Sequence, residues 1–149
     1  MTVDIGDGPS IIFRLDHRSG VPTYLQLVQQ VEHAIRLGYL RKGDQLPRVK
    51  EVVAALSINP NTVLKAYRSL EEKRLIAARP GLGTYVQAEP ETIDIQVLNS
   101  LRQRLRAGWL REAREAGLDD DGILALIMVE LQDIRGSRAD LPGSAEGVA

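Results

Sequence analysis

The sequence predicts a mainly α fold with a small β-hairpin wing, an N-terminal winged helix-turn-helix followed by a two-helix C-terminal segment. Three observations carry that reading. Two short helical patterns are separated by only three residues, Ser57-Ile58-Asn59. Two short strand patterns enclosing a Gly-rich tip follow directly, at 75–77 and 84–86. Charge is also segregated along the 149 residues, although the total is only −1. Residues 36–86 carry ten Lys or Arg against four acids, a local charge of +6, between flanks of −2 over 1–35 and −5 over 87–149. A basic segment between acidic ones is the asymmetry of a polyanion-binding domain beside something else, although a merely solvated Lys/Arg face has the same signature.

Residues 1–20 read as a flexible N-terminal arm, polar and Gly-rich over the first ten, with a short apolar run Ile11–Leu15 that docks or pairs as a strand. The winged helix-turn-helix is expected over 21–88. Pro22 opens its first helix, where a missing N–H costs nothing, and Tyr24, Val28, Val31 and Ile35 recur on one face until Gly38 stops it. Residues 41–44 form a turn and Leu46-Pro47 ends regular structure. A second helix then buries Val49, Val52, Val53 and Leu56. Asn59 is a good N-cap and Pro60 sits at the first helical position, so a third helix starts there, burying Val63, Ala66, Tyr67 and Leu70. The two strands and the loop 78–83 complete the wing.

Residues 88–90 form a hinge to a two-helix dimerisation domain over 91–136, and 137–149 read as a disordered tail rich in small residues. Its first helix runs from Thr92 to about Ala116, with Gly108 a weak point inside it; Asp119, Asp120 and Asp121 place acid at the positive end of the second. That second helix is apolar nearly all round through its middle, which calls for burial on more than one side. One protomer's helix covers one side, so a second protomer is expected to cover the rest. The predicted two-fold interface comprises Leu98, Leu101, Leu105, Trp109, Ile123, Ile127 and Leu131; packing on the protomer's own winged helix is the alternative. The segment is too short to enclose a ligand pocket of several hundred cubic ångströms.

Several classes fall away. No run approaches the ~18 apolar residues of a membrane span, and the acidic start lacks the apolar core of a secretory signal, so a cytoplasmic protein with no membrane partner is expected. Zero cysteines remove disulfides, thiolate metal sites and thiol nucleophiles. His17 and His33 have no acid or thiol at ligand spacing, so no metal and no cofactor are expected. No nucleophile–base pairing or phosphate loop suggests an enzyme; Gly81-Leu82-Gly83 lacks the strand-then-helix setting of a dinucleotide site.

The stretch Gly43-Asp44-Gln45-Leu46-Pro47 resembles the G-D-x-L-P signature of the GntR family of bacterial transcription regulators. Residues 58–63, then Ala66-Tyr67 and Leu70-Glu71, resemble its recognition-helix region, and residues 81–86 its wing. The Ile-Asn-Pro-Asn-Thr-Val form and the short C-terminal part are similar to the YtrA-type branch. The resemblance covers about residues 21–87. It implies a homodimeric winged-helix repressor binding double-stranded DNA at an inverted-repeat operator, often encoded beside transporter genes. A small-molecule effector is left open.

The residues themselves agree with a reader of DNA. A recognition helix places its N-terminal side chains at base edges in the major groove. Ser57, Asn59, Asn61, Thr62 and Lys65 lie in that region, with Asn suited to adenine, Lys to guanine and the Thr methyl to thymine. Asn59 has a second reading as a plain helix cap. Arg48 and Lys50 open the preceding helix as phosphate or base contacts, Lys50 matching the family's basic position and Arg48 replacing a small polar residue. Pro60 and Leu64 stand where relatives carry Arg, which leaves base preference open. Arg79, Gly81 and Gly83 fit a wing that approaches the backbone or minor groove, the alternative being a plain hairpin turn. Tyr67 and Tyr85 read as core, and a scaffold for protein interaction without sequence reading is the runner-up function.

Overall fold

A computed structural model describes residues 11–89 and 93–139 of the chain, which divides into two compact units at Asp94/Ile95. The first contains α1 (Thr23–Arg36), α2 (Val49–Leu56), α3 (Pro60–Glu72) and an antiparallel hairpin of β1 (Ile76–Arg79) and β2 (Gly83–Val86). All the apolar residues predicted to face inward from α1, α2 and α3 are buried or half-buried, Val28, Val31, Val52 and Val63 completely so. The helix pair breaks at Ser57, whose left-handed φ of 53° ends α2 while its N–H bonds to the Val53 carbonyl at 2.9 Å. Asn59 then starts α3, its side-chain oxygen accepting the Asn61 N–H at 2.8 Å.

The hairpin is wider than the sequence suggests. Residues 43–46 run antiparallel along the free edge of β2. Gly43 N–H bonds to the Val86 carbonyl at 2.9 Å, Val86 N–H to Asp44 at 2.8 Å and Leu46 N–H to Thr84 at 2.8 Å. Each residue of the Gly-Asp-Gln-Leu-Pro run has a task here. Gly43 takes a φ of 94°. The Asp44 carboxylate accepts the Arg41 N–H at 2.7 Å, Leu46 and Pro47 are buried, and the Pro47 carbonyl accepts the Tyr67 hydroxyl.

Of the two readings of the Ile11–Leu15 run, docking is the one the fold adopts: residues 11–16 form no strand, while Phe13 is fully buried and Ile11 nearly so, and this part of the expected flexible arm is packed against the core. Two side chains of α1, one turn apart, take the place of a neighbouring strand. The Gln30 amide accepts the Arg14 N–H at 2.8 Å and donates to the Arg14 carbonyl at 2.6 Å. Gln26 does the same for Asp16, at 2.8 and 2.9 Å. Each amide offers one acceptor and one donor in a plane, as a backbone peptide does. Residues 1–10 lie outside the described residues.

The second unit contains α4 (Ile95–Arg104), a π-helical turn (Leu105–Trp109), α5 (Leu110–Glu115) and α6 (Asp120–Ala139). The first three form one continuous rod, beginning at Ile95 rather than at the expected Thr92, which lies outside the described residues. Gly108 falls inside the π turn. The file Leu101, Leu105, Trp109 and Ala113 is spaced by four, whereas an α-helix turns in 3.6 residues. The wider turn takes up the excess. Gly117, at φ 96°, ends α5, and Asp119 caps α6 through a 2.8 Å bond from Gly122 N–H. The tail expected from 137 is helical to Ala139, because one glycine costs a helix only about 1 kcal/mol and Arg138 suits its negative end. Residues 140–149 lie outside the described residues.

Burial, followed by the Glu51 charge, holds the Tyr67 phenol well above the usual tyrosine range. Its neutral form is therefore favoured by folding, a contribution complete below pH ~10 and lost as the pH rises further. Tyr67→Phe should lower stability at pH 7 by about 1 kcal/mol by orphaning the Pro47 carbonyl. It should also flatten the decline above pH ~10. Urea unfolding across that pH range measures both.

Candidate nucleic-acid interface

The sequence-predicted contact residues lie on α2, α3 and the wing and in the turn between the two helices. Asn59, Asn61 and Lys65 are exposed on the first two turns of α3, and Thr62 is half-buried beside them. Arg48 and Lys50 are exposed at the start of α2, Ser57 at its end, and Arg79 and Gly81 around the wing tip, with Gly83 half-buried. Among the described residues, none of the basic side chains in this set is in an ion pair.

Their local settings differ from what the sequence suggests. Asn59 spends its side-chain oxygen on the cap, leaving its amide NH₂ outward. Lys65 lies over the Tyr24 ring, its Nζ 4.1 Å from the centroid, so α1 supports this lysine of α3. Arg79 lies over Tyr85 at 4.5 Å. Tyr85 is thus a half-buried platform for a wing cation rather than core, while Tyr67 is core as expected.

Arg48 is committed to the wing. Its Nη2 donates to the Leu82 carbonyl at 3.3 Å, and Gln45 Nε2 donates to the same oxygen at 3.3 Å. As the N-cap of α2, Arg48 has no side-chain acceptor to offer. Glu51 supplies half of a capping box by accepting the Arg48 N–H at 2.9 Å. Gly83 passes under Gln45: a Cβ there would stand 2.6 Å from Gln45 Nε2, at a φ of 134°. Tyr24 and Gln45 are the two site residues the sequence reading missed. Tyr24 was legible only as a member of the α1 apolar face, and Gln45 only as the variable position of a motif.

The second unit presents the predicted association residues unevenly. Leu98 and Ile123 are buried and Trp109 is half-buried, whereas Leu101, Leu105, Ile127 and Leu131 are exposed. An open cleft of about 500 Å³ is lined by Leu105, Trp109, Leu126, Ile127, Glu130 and Leu131. The expectation that this segment encloses no pocket therefore holds only in that the cleft is open, being bounded by exposed side chains. No helix among the described residues is long and apolar enough to cross a membrane, and no group of metal-ligating side chains occurs among them.

Gly83→Ala forces both the crowded contact and a disfavoured backbone, at a cost of roughly 1–3 kcal/mol. The wing should be displaced and binding to duplex DNA weakened. Gln45→Ala added to it should recover only part, since the φ remains. Fluorescence anisotropy alongside thermal melts separates the two effects.

Residues 23–86 match the gntR family of bacterial regulatory proteins. The chain is 30% identical over 128 residues to the HTH-type transcriptional repressor YtrA of Bacillus subtilis, covering 85% of this chain and 98% of that protein. It is 29% identical over 107 residues to the uncharacterized HTH-type transcriptional regulator YhcF of the same species, covering 72% and 88%. Among solved structures, a transcriptional antiterminator from Listeria monocytogenes EGD-e superposes with a TM-score of 0.52 at 28% identity, covering 82% of this chain and 91% of that one.

Proposed function

The chain belongs to the gntR family of bacterial regulatory proteins, and from that premise we propose that it is a homodimeric, sequence-specific repressor that covers an inverted-repeat operator, with transporter genes among its targets. That it is a transcriptional regulator with a DNA-binding helix-turn-helix follows from the family. The observation that carries the finer reading is the set of exposed polar and basic side chains on α3, the start of α2 and the wing, none of whose cations is in an ion pair among the described residues. Asn61 and Lys65 supply the base-edge donors of the pairings available in a major groove, and Arg79 at the wing supplies the backbone or minor-groove contact.

Dimerisation is supported by a second observation. Along α6, Leu124, Leu126, Ile127, Met128, Val129, Leu131 and Ile134 are all exposed, on more than one side of the helix. Exposed apolar surface of this extent marks an association site. The proposed two-fold interface uses the apolar residues of both faces, including Leu105 and Trp109 at the cleft. A two-fold dimer presents two recognition helices, hence the inverted repeat. Repression requires only that promoter DNA be covered, with no chemistry.

In-vitro selection from random duplexes should enrich an inverted repeat whose half-site spacing reports the dimer. Failure to enrich any sequence at low salt would leave the winged helix as an interaction scaffold. Asn61→Ala should lose about 1–3 kcal/mol of discrimination at one base pair per half-site. Leu105→Asp should convert the protein to monomer in light scattering and weaken operator binding at the same time; a variant still dimeric refutes the interface.

A further inference from the structure

The rod of the second unit carries a charge pattern that neither its net acidity nor the helix-turn-helix accounts for. From Ile95 to Arg111 there are four arginines, Arg102, Arg104, Arg106 and Arg111, and no acid. All four are exposed, and Arg104, Arg106 and Arg111 have no acidic partner among the described residues. Arg102 and Arg106, together with Asn99 and Gln103, line one shallow groove of about 260 Å³. Every side chain in it is a hydrogen-bond donor, and none is acidic. The acids of the unit lie elsewhere in the sequence, from residue 112 onward.

We propose that this groove binds the phosphate backbone of duplex DNA outside the half-site read by α3, extending the footprint of the protein. Arginine with amide donors is the composition that contacts phosphates without reading bases. The cations are strung along the helix over nine residues, about 14 Å, so they suit a repeating polyanion rather than one compact anion. The groove begins at Asn99, five residues after the first unit ends at Asp94. A duplex held by the first unit is therefore at high effective concentration for the second.

The inference rests on DNA binding by the first unit, and the experiment separates the two. Full-length protein and the double variant Arg102→Gln/Arg106→Gln are titrated against three duplexes: a selected operator, the same operator with ten extra base pairs on each side, and a random sequence of equal length. Two charges per protomer contribute a salt slope of roughly two for each protomer engaged. The variant should show a slope shallower by roughly that amount on the long operator and on random DNA. Its affinity for the long operator should fall about ten-fold, with little change on the short one. Sequence preference and light-scattering mass should be unchanged, and Arg102→Lys/Arg106→Lys should keep the wild-type slope. An unchanged slope in the Gln variant overturns the proposal, as does an equal loss on the short operator. If wild type selects no sequence, the repressor reading fails, while the slope on random DNA still decides this one.

Discussion

The hydrogen bond from the Tyr67 hydroxyl to the Pro47 carbonyl is the tie on which the reading surface depends. Tyr67 belongs to α3, and Pro47 is the residue from which α2 departs. One residue earlier, Leu46 is bonded to Thr84 of the wing. Two consecutive residues thus fix α3, α2 and the hairpin to one another. Both groups of the bond are buried, so its loss leaves a carbonyl that water does not reach, and the geometry is correspondingly intolerant of change.

Around that tie, the exposed face is assembled from contacts that each join two elements. Arg48 joins the start of α2 to the tip of the wing, Gln45 reinforces the same carbonyl, and Tyr24 joins α1 to Lys65 of α3. None of these is a large energy alone, since all are solvent-exposed. Their effect is to tie α2 to the wing and α1 to α3. Of the cations in residues 36–86, Lys42 and Lys73 pair with Glu89 and Glu32, whereas Arg48, Lys50, Lys65 and Arg79 are in no ion pair among the described residues.

How much of this was legible depended on whether the signal was periodic. The helices of the first unit were legible because Val28, Val31, Val63 and Leu70 recur at helical spacing, and the break was legible because Asn59-Pro60 is a start signal with a mechanism. Pairing that relies on single polar side chains was not. Gln26 and Gln30 look like solvated surface residues, yet they hold residues 14 and 16 in place. The π turn has a sequence signal of its own: four-residue spacing from Leu101 to Ala113 does not fit a regular helix for three turns. Arg48 is legible as the residue that opens α2, but its tie to Leu82 depends on a wing conformation that composition does not encode.

The placement of Lys65 over Tyr24 and Arg79 over Tyr85 has a consequence for the thermodynamics of recognition. Long cationic side chains on a free surface sample many rotamers, and docking them freezes each at a cost of about 0.5–1.5 kcal/mol. Here both are already confined above an aromatic face, in two different elements, in the absence of nucleic acid. A substantial share of that ordering is completed at folding instead of at encounter. On the proposed reading of Lys65 and Arg79 as nucleic-acid contacts, association resembles the meeting of two preformed surfaces, with the tyrosine rings acting as rests from which the cations are presented.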